Sequence, residues 1–369
     1  MPPRISRMHI GILTGGGDCP GLNSVIRAAT LALLEGGARV TGIERGFEGL
    51  MRDRMRPLHR SDVIPLVDQG GSILGTHNRA DPFHDSAQGR QDSSEAVLTH
   101  ARRHGLDGVI AIGGDGTMSI ASRLYTRGLP MVGVPKTIDN DLAYTRQCVG
   151  FDSAVAVATE ALSRLHTTAR SHGRIMILET MGRYGGWIAL EAGVAAGADI
   201  ILIPERPYRL EEVLRVCQMR EVSASDPGTL ICIAEGAHAQ GETMTIAHAA
   251  PQSPDPVRLG GVSEHLRRQL EPHCRSEIRA TVLGHVQRGG LATAYDRVLA
   301  VQLGQAAAGR ALDRQFGDMV TLTAEGADDR CGFIPLRDVV DHPRRVLADH
   351  PLVRAAEAIG VSFGVPGSG

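Results

Sequence analysis

Gly108-Val-Ile-Ala-Ile-Gly-Gly-Asp-Gly-Thr117 decides the fold class. Gly108 to Ile112 is an uninterrupted apolar run of strand length, the pattern of a strand buried on both faces. It stops in glycines and one acidic residue, and a helical pattern follows. The same arrangement opens the chain: Met8-His-Ile-Gly-Ile-Leu-Thr14 runs into Gly15-Gly-Gly-Asp-Cys-Pro-Gly-Leu-Asn23, then a helical stretch through Leu34. Working outward, Arg39–Ile43, Met131–Val134, Arg174–Glu179, Ile200–Ile203, Thr229–Ala234 and Ala280–Leu283 read as strands. Phe151–Ala169, Trp187–Ala196, Leu210–Arg220, Val262–Leu270 and Tyr295–Leu312 read as helices. Strands alternating with helices give mainly parallel, doubly wound sheets. There are more strands than one compact sheet holds, so two α/β domains are expected. The polar, Pro-containing stretch 237–257 reads as an exposed loop, and residues 1–7 and 364–369 as frayed ends.

Composition narrows the class. At 369 residues the length prior gives two or three domains. With 42% hydrophobic but only 3% aromatic residues, the core must be aliphatic. A net charge of −2 argues against an electrostatic nucleic-acid binder. The six cysteines, at 19, 148, 217, 232, 274 and 331, form no CxxC pair and no zinc-like spacing, as expected of reduced thiols in a cytosolic protein. No apolar run approaches the ~20 residues of a membrane span, and the first residues lack the apolar core of a signal peptide. The chain reads as soluble and cytoplasmic.

Three segments carry chemistry. Gly15-Gly-Gly-Asp18 stands between a strand and a helix, where backbone N–H groups and a helix N-terminus favour an anion; such turns also occur for packing alone. It lacks the Gly-Lys-Ser/Thr of a Walker A loop and the spacing of a GxGxxG fingerprint. Gly113-Gly-Asp-Gly-Thr117 has the same placement. Asp115 is suited to Mg²⁺, directly or through water, and Thr117 to capping the following helix. Val134-Pro-Lys-Thr-Ile-Asp-Asn-Asp141 ends a third strand, where open α/β sheets place ligands. A carboxylate there can take a proton from a substrate hydroxyl, and Lys136 can hold phosphate oxygens. Alone, this stretch also fits an Asx-rich turn. Two glycine cradles with a carboxylate cluster supply the parts for phosphoryl transfer.

The second half adds anion binders. Arg174 and Arg279 open strands, Arg183 lies in Met181-Gly-Arg-Tyr-Gly-Gly186, and His285 and Arg288 lie in Gly284-His-Val-Gln-Arg-Gly-Gly290. Arginine forks bind phosphate bidentately. His285 can add a hydrogen bond, and Glu235, closing a strand, can accept one from a sugar hydroxyl.

Together GGGDCPGLN, GGDGT, PKTIDND, GFDSA (Gly150–Ala154), MGRYGGWIAL, AEG (Ala234–Gly236) and RATVLGHVQRGG with AYDR resemble the ATP/pyrophosphate-dependent 6-phosphofructokinase family, in family order over residues 8 to about 310. The resemblance implies two Rossmann-like domains with the active site in the cleft between them. Residues 1–150 plus about 287–345 would bind the donor, and 151–286 plus about 346–369 the sugar phosphate. It implies phosphoryl transfer to the 1-hydroxyl of fructose 6-phosphate in glycolysis. By motif position Asp139 would be the general base, with Asp141, Thr137 and Arg183 supporting the transferring group and Asp115 binding Mg²⁺. Gly16, Arg79, Gly113, Gly114, Gly116, Thr117 and Lys136 would hold the donor. Met181, Gly182, Glu235, His285 and Arg288 would grip the sugar phosphate. Arg174 and Arg279 would reach a neighbouring subunit's site, which implies a homotetramer or homodimer.

Two positions bear on the donor. In this family Gly at 116 accompanies ATP, and Asp there accompanies pyrophosphate, because a carboxylate would intrude on the α-phosphate region and repel it. Lys136 points the other way, being typical of pyrophosphate users and of a mixed group that uses ATP. ATP is the expected donor, with pyrophosphate the alternative. Additions near 237–257 and at the C-terminus leave regulation unassigned. A dehydrogenase would need an acidic ribose contact about 20 residues after the first glycine loop, and Glu44 is only loosely in range. A non-catalytic sugar-phosphate sensor would dispense with Asp115 or Asp139, and both are present.

Overall fold

The computed structural model describes residues 8–85, 89, 91–223, 227–249, 257–325, 328–340 and 342–366. Of the expected frayed ends at 1–7 and 364–369, residues 1–7 and 367–369 lie outside them; Gly364 is instead tied down, accepting from the Arg209 N–H at 2.7 Å and donating to Ser362 Oγ at 3.1 Å. The strands are β1 (His9–Thr14), β2 (Arg39–Ile43), β3 (Met55–Pro57), β4 (Gly108–Gly113), β5 (Met131–Pro135), β6 (Ile175–Thr180), β7 (Ile200–Leu202), β8 (Thr229–Ala234), β9 (Ile246–Ala249), β10 (Val257–Leu259), β11 (Ile278–Val282), β12 (Asp318–Glu325) and β13 (Asp328–Pro335). The chain divides into two compact units. One runs up to Ile138 and includes Leu142–Asp152 and Arg288–Pro343. The other holds Asp139–Asp141, Ser153–Gln287 and the chain from Arg344 onward.

In the first unit the strand order is β13-β12-β5-β4-β1-β2-β3. Strands β12, β5, β4, β1 and β2 pair in parallel, and β3 and β13 are antiparallel edges. Every residue of β1, β4 and β5 is buried, which is why these strands read as unbroken apolar runs. Leu13, Val109, Ala111 and Met131 pack with Met118, Ala121 and Leu124 of the helix Asp115–Thr126. From β1 the chain proceeds to β2 on one side, while β4 and β5 lie on the other. The carboxyl ends of β1 and β4 therefore flank a topological switch point, where doubly wound sheets bind ligands. Both glycine loops leave the sheet there.

The second unit has a parallel sheet in the order β11-β6-β8-β7. Ile175, Ile177, Ile231 and Ile233 pack with Val213, Val216 and Cys217 of the helix Leu210–Glu221 and with Val262, Leu266 and Leu270 of the helix Val262–Leu270. The stretch 237–257 departs from expectation. Ala237 and Ala239 are buried, and β9 pairs antiparallel with β10 to form a ribbon; residues 250–256 lie outside the described residues. All six cysteines are free thiols. Burial pushes Cys19 and Cys232 up to about 12, so both stay protonated at neutral pH. Among the described residues no helix is long and apolar enough to cross a membrane.

Candidate active site

In the first unit the two glycine loops meet around one side chain. A Cβ on Gly113 would fall 2.2 Å from Thr117 Oγ1, and a Cβ on Gly15 would fall 2.5 Å from it. Thr117 itself is buried. These two glycines are thus explained by the close approach of Thr117. The expectation that Thr117 caps the helix is corrected: the helix starts at Asp115 with Gly114 at the cap position and no side-chain cap. Thr117 sits inside the first turn and fills the gap between loops.

The remaining glycines are different. Gly16 has φ +75, and a Cβ there would meet only ordinary contacts, 3.7 Å from Lys136 Nζ and 3.8 Å from Thr117 Oγ1. A Cβ on Gly114 would meet nothing nearer than 3.6 Å, and one on Gly116 nothing within 4 Å. Packing does not require glycine at 116. This face of the helix start is open, with Asp115 exposed in the first turn. Free N–H groups of a helix start attract anions.

The first glycine loop does not run directly into its helix. The helix begins at Leu22, as the sequence indicated, and the segment Asp18–Gly21, with Cys19 buried, separates it from Gly15–Gly17. That loop is shaped by side chains instead. Lys136 is buried, and its ammonium donates to the Gly17 carbonyl. The Arg288 guanidinium donates from Nη1 to the Asp18 carbonyl at 3.2 Å and lies over Gly17. Arg288 therefore groups with the first glycine loop. Arg79 is exposed, its N–H donating to His77 Nδ1 at 3.1 Å. Thr137 follows β5, near the position a Gly114 Cβ would take.

The second unit gathers Asp139, Asp141, Met181, Gly182, Arg183, Glu235 and His285. Glu235 follows β8, its N–H donating to the Thr180 carbonyl at 2.9 Å. Burial, reinforced by the Asp139 and Glu179 carboxylates, pushes Glu235 up to about 7 against the pull of Arg183. A Cβ on Gly236 would fall 1.9 Å from the Arg183 carbonyl oxygen, so the Ala-Glu-Gly sequence exists to let the arginine loop pass. A cavity of about 200 Å³ is lined by Glu179, Thr180, Met181, Glu235, Leu259, Gly260, Val282, Gly284 and His285. Arg174 and Arg279 both pair with Glu277, Arg174 at 2.5 Å. They come together because β6 and β11 are neighbours with Ile278 opposite Ile175.

Sequence reasoning missed three polar residues here. Glu179 is buried and accepts from the N–H groups of Gly261 (3.1 Å) and Ser263 (2.9 Å) and from Ser263 Oγ (2.7 Å), at the start of the helix Val262–Leu270. Gln287, fully buried, accepts from Met181 N–H at 3.3 Å and donates to the Gly284 carbonyl at 3.0 Å, joining two motifs. Glu205 accepts from the backbone of Gly186 and Val346. Only the position of Gln287 within GHVQRGG offered a signal.

Among the described residues no group of three or more His, Cys, Asp or Glu could hold a metal by itself. Mg²⁺ is commonly held by one or two carboxylates plus substrate phosphates. An exposed Asp115 beside an open helix start fits that usage.

The phosphofructokinase family model matches residues 9–310. The chain belongs to the phosphofructokinase family. It is 42% identical over 362 residues to ATP-dependent 6-phosphofructokinase 2 of Clostridium perfringens, covering 96% of this chain and 98% of that one. It is 45% identical over 316 residues to a pyrophosphate–fructose 6-phosphate 1-phosphotransferase of Amycolatopsis methanolica, covering 85% and 90%. The fold matches the pyrophosphate-dependent phosphofructokinase of Nitrosospira multiformis with a TM-score of 0.82 at 17% identity, over 97% and 92% of the two chains. The glycine loops and the Glu235 cavity thus belong to a phosphofructokinase fold.

Proposed function

We propose that this phosphofructokinase family member transfers the terminal phosphoryl group of ATP to the 1-hydroxyl of fructose 6-phosphate, giving fructose 1,6-bisphosphate. The observation that carries the choice of donor is the open space at Gly116, at the start of a helix that follows the second glycine loop. The family match over residues 9–310 carries the reaction class.

The first unit supplies donor binding. The open N-terminus of the helix Asp115–Thr126, with Gly16, Gly114 and Gly116, receives phosphate oxygens, and Asp115 holds Mg²⁺ arriving with the nucleotide. Mg²⁺ supplies neutralisation of phosphate charge. Lys136 and Arg288 act on the first glycine loop, setting its carbonyls aside so that its N–H groups face the donor. Arg79 and Thr137 add contacts to the donor phosphates.

The second unit supplies the acceptor and the base. Asp139 takes the proton from the 1-hydroxyl, Asp141 supports it, and Arg183 balances charge on the transferring group. Met181, Gly182, Glu235 and His285 line the sugar site, where an ionised Glu235 accepts from a sugar hydroxyl. Arg174 and Arg279 bind the sugar phosphate of a neighbouring copy in a homo-oligomer, with Glu277 as their counter-ion until phosphate arrives.

The second reading is a pyrophosphate-dependent enzyme. Lys136 and the 45% identical Amycolatopsis relative favour it. Fructose 6-phosphate, Mg²⁺ and either ATP or pyrophosphate, assayed side by side, decide the matter. Product with ATP alone supports the proposal, and product with pyrophosphate alone supports the second reading. No product with either removes both.

A further inference from the structure

The arginine loop Met181–Gly186 and the triplet Asp139–Asp141 are separate segments that contribute to one set of groups. A Cβ on Gly185 would fall 3.7 Å from the Asp139 carbonyl oxygen, so the segments lie close together. Neither is part of a helix or strand. Gln287 and Gly236 hold the arginine loop at Met181 and Gly182, and a third segment, Arg344–Val346, ties it to the triplet through one carboxylate.

Glu205 stands just beyond β7. Both its oxygens accept from the Gly186 N–H at 3.1 Å, and Oε1 also accepts from the Val346 N–H at 2.9 Å. Two residues before Val346, the Arg344 N–H donates to the Asp141 carbonyl at 2.7 Å. The Arg344 carbonyl accepts from Trp187 Nε1 at 3.3 Å, and the Arg344 guanidinium lies 4.2 Å over the Trp187 ring. Trp187 follows Gly186 in sequence. The contacts close a ring: Glu205 to Gly186, on to Trp187, across to Arg344, along to Val346, and back to Glu205. The arginine loop hangs from this ring at Gly186, and the carboxylate triplet at Arg344.

We propose that Glu205 is a positioning residue, which sets the register of the Arg183 loop against Asp139 and Asp141 without touching substrate. The proposal rests on the roles given above to Asp139 and Arg183. Its chemistry is specific. Two backbone N–H groups converge on Glu205, and a carboxylate is acceptor-only. Oε1 takes both N–H groups, and Oε2 faces Gly186 alone. A glutamine of the same size that keeps its oxygen at Oε1 places its NH₂ where Oε2 stood, donor against the Gly186 N–H. The ring then loosens at Gly186, while the packing volume is unchanged. Displacement of a reacting group by about 1 Å costs on the order of 100-fold in rate.

The test compares Glu205→Gln, Trp187→Phe and Asp139→Asn in the full chain. Melting curves establish that each variant is folded at the assay temperature. Trp187→Phe keeps an aromatic ring and deletes the Nε1 donor, breaking the ring at a second point. The expected result is a kcat about 10- to 100-fold lower for Glu205→Gln and a smaller loss for Trp187→Phe. KM for MgATP stays within about twofold, and Glu205→Asp recovers part of the rate. Loss of kcat only in proportion to loss of folded protein overturns the positioning role. So does wild-type kcat in Glu205→Gln alongside an inactive Asp139→Asn. Wild-type turnover in Asp139→Asn overturns the site reading and this proposal with it.

Discussion

A Cβ on Gly113 would fall 2.2 Å from Oγ1 of Thr117, four residues later in the same strand–turn–helix unit. Gly116, between them, has nothing within 4 Å of the same construction. Within one GGDGT sequence, one glycine is demanded by packing and another is left for something outside the chain.

That contrast predicts opposite stability effects. Gly113→Ala forces the Thr117 side chain out of its rotamer, or separates the loops, and costs about 1–3 kcal/mol. Gly116→Ala sits in an open helical first turn and stabilises by about 0.5–1 kcal/mol. Urea titrations of both variants check the pair. Equal destabilisation by both would remove the distinction.

Gly116→Asp should exchange donors while the fold stays intact. An acidic residue in a helix first turn is itself favourable. Against a nucleotide α-phosphate it places like charges a few ångströms apart, which at an effective dielectric near 20 costs on the order of 4 kcal/mol. The kcat/KM for ATP falls on the order of 100-fold or more, and pyrophosphate use is retained or gained. Unchanged ATP kinetics would show that the open face is not where the donor lies.

Asp139→Ser tests the base. Removing a positioned general base lowers turnover by about 10²- to 10⁴-fold, with fructose 6-phosphate affinity, read by calorimetry, within about threefold of the parent. The measurement to watch is kcat: a value near that of the parent rules Asp139 out.

Glu235 predicts two pH dependences. Its folded pKa of about 7 lies above the ordinary 4.5, so the folded state binds this proton more tightly than the unfolded chain does. Below pH 4.5 both states are protonated and nothing is lost. Stability declines as pH rises from there through about 7, where ionising the buried carboxyl becomes unavoidable. Glu235→Gln should flatten this slope in melting temperature between pH 4.5 and 8. In binding the sign reverses. The ionised form accepts from the sugar hydroxyl, so KM for fructose 6-phosphate rises as pH falls through about 7. The glutamine variant should show a raised KM without that inflection.

The sequence by itself determined the alternation of buried strands and helices, because burial on both faces leaves unbroken apolar runs such as Ile10–Leu13 and Val109–Ile112 that no other element explains. It also determined the residue types at the site, since GGDGT, PKTIDND and GHVQRGG are contiguous. It did not carry β3 and β13, which lie at the sheet edges where the pattern weakens, nor β12, which lies inside the sheet with Met319–Leu322 buried. It misread Thr117 as a cap, because a threonine after glycines looks the same whether it faces the backbone or the gap between two loops. Tertiary structure alone decided which glycines serve packing. It brought Arg174 and Arg279 together on Glu277, raised Glu235 by burying it beside Asp139, and closed the ring through Glu205. Each of these depends on residues tens to more than a hundred positions apart meeting at strand ends. Local propensity does not encode such meetings; the order of strands in each sheet does.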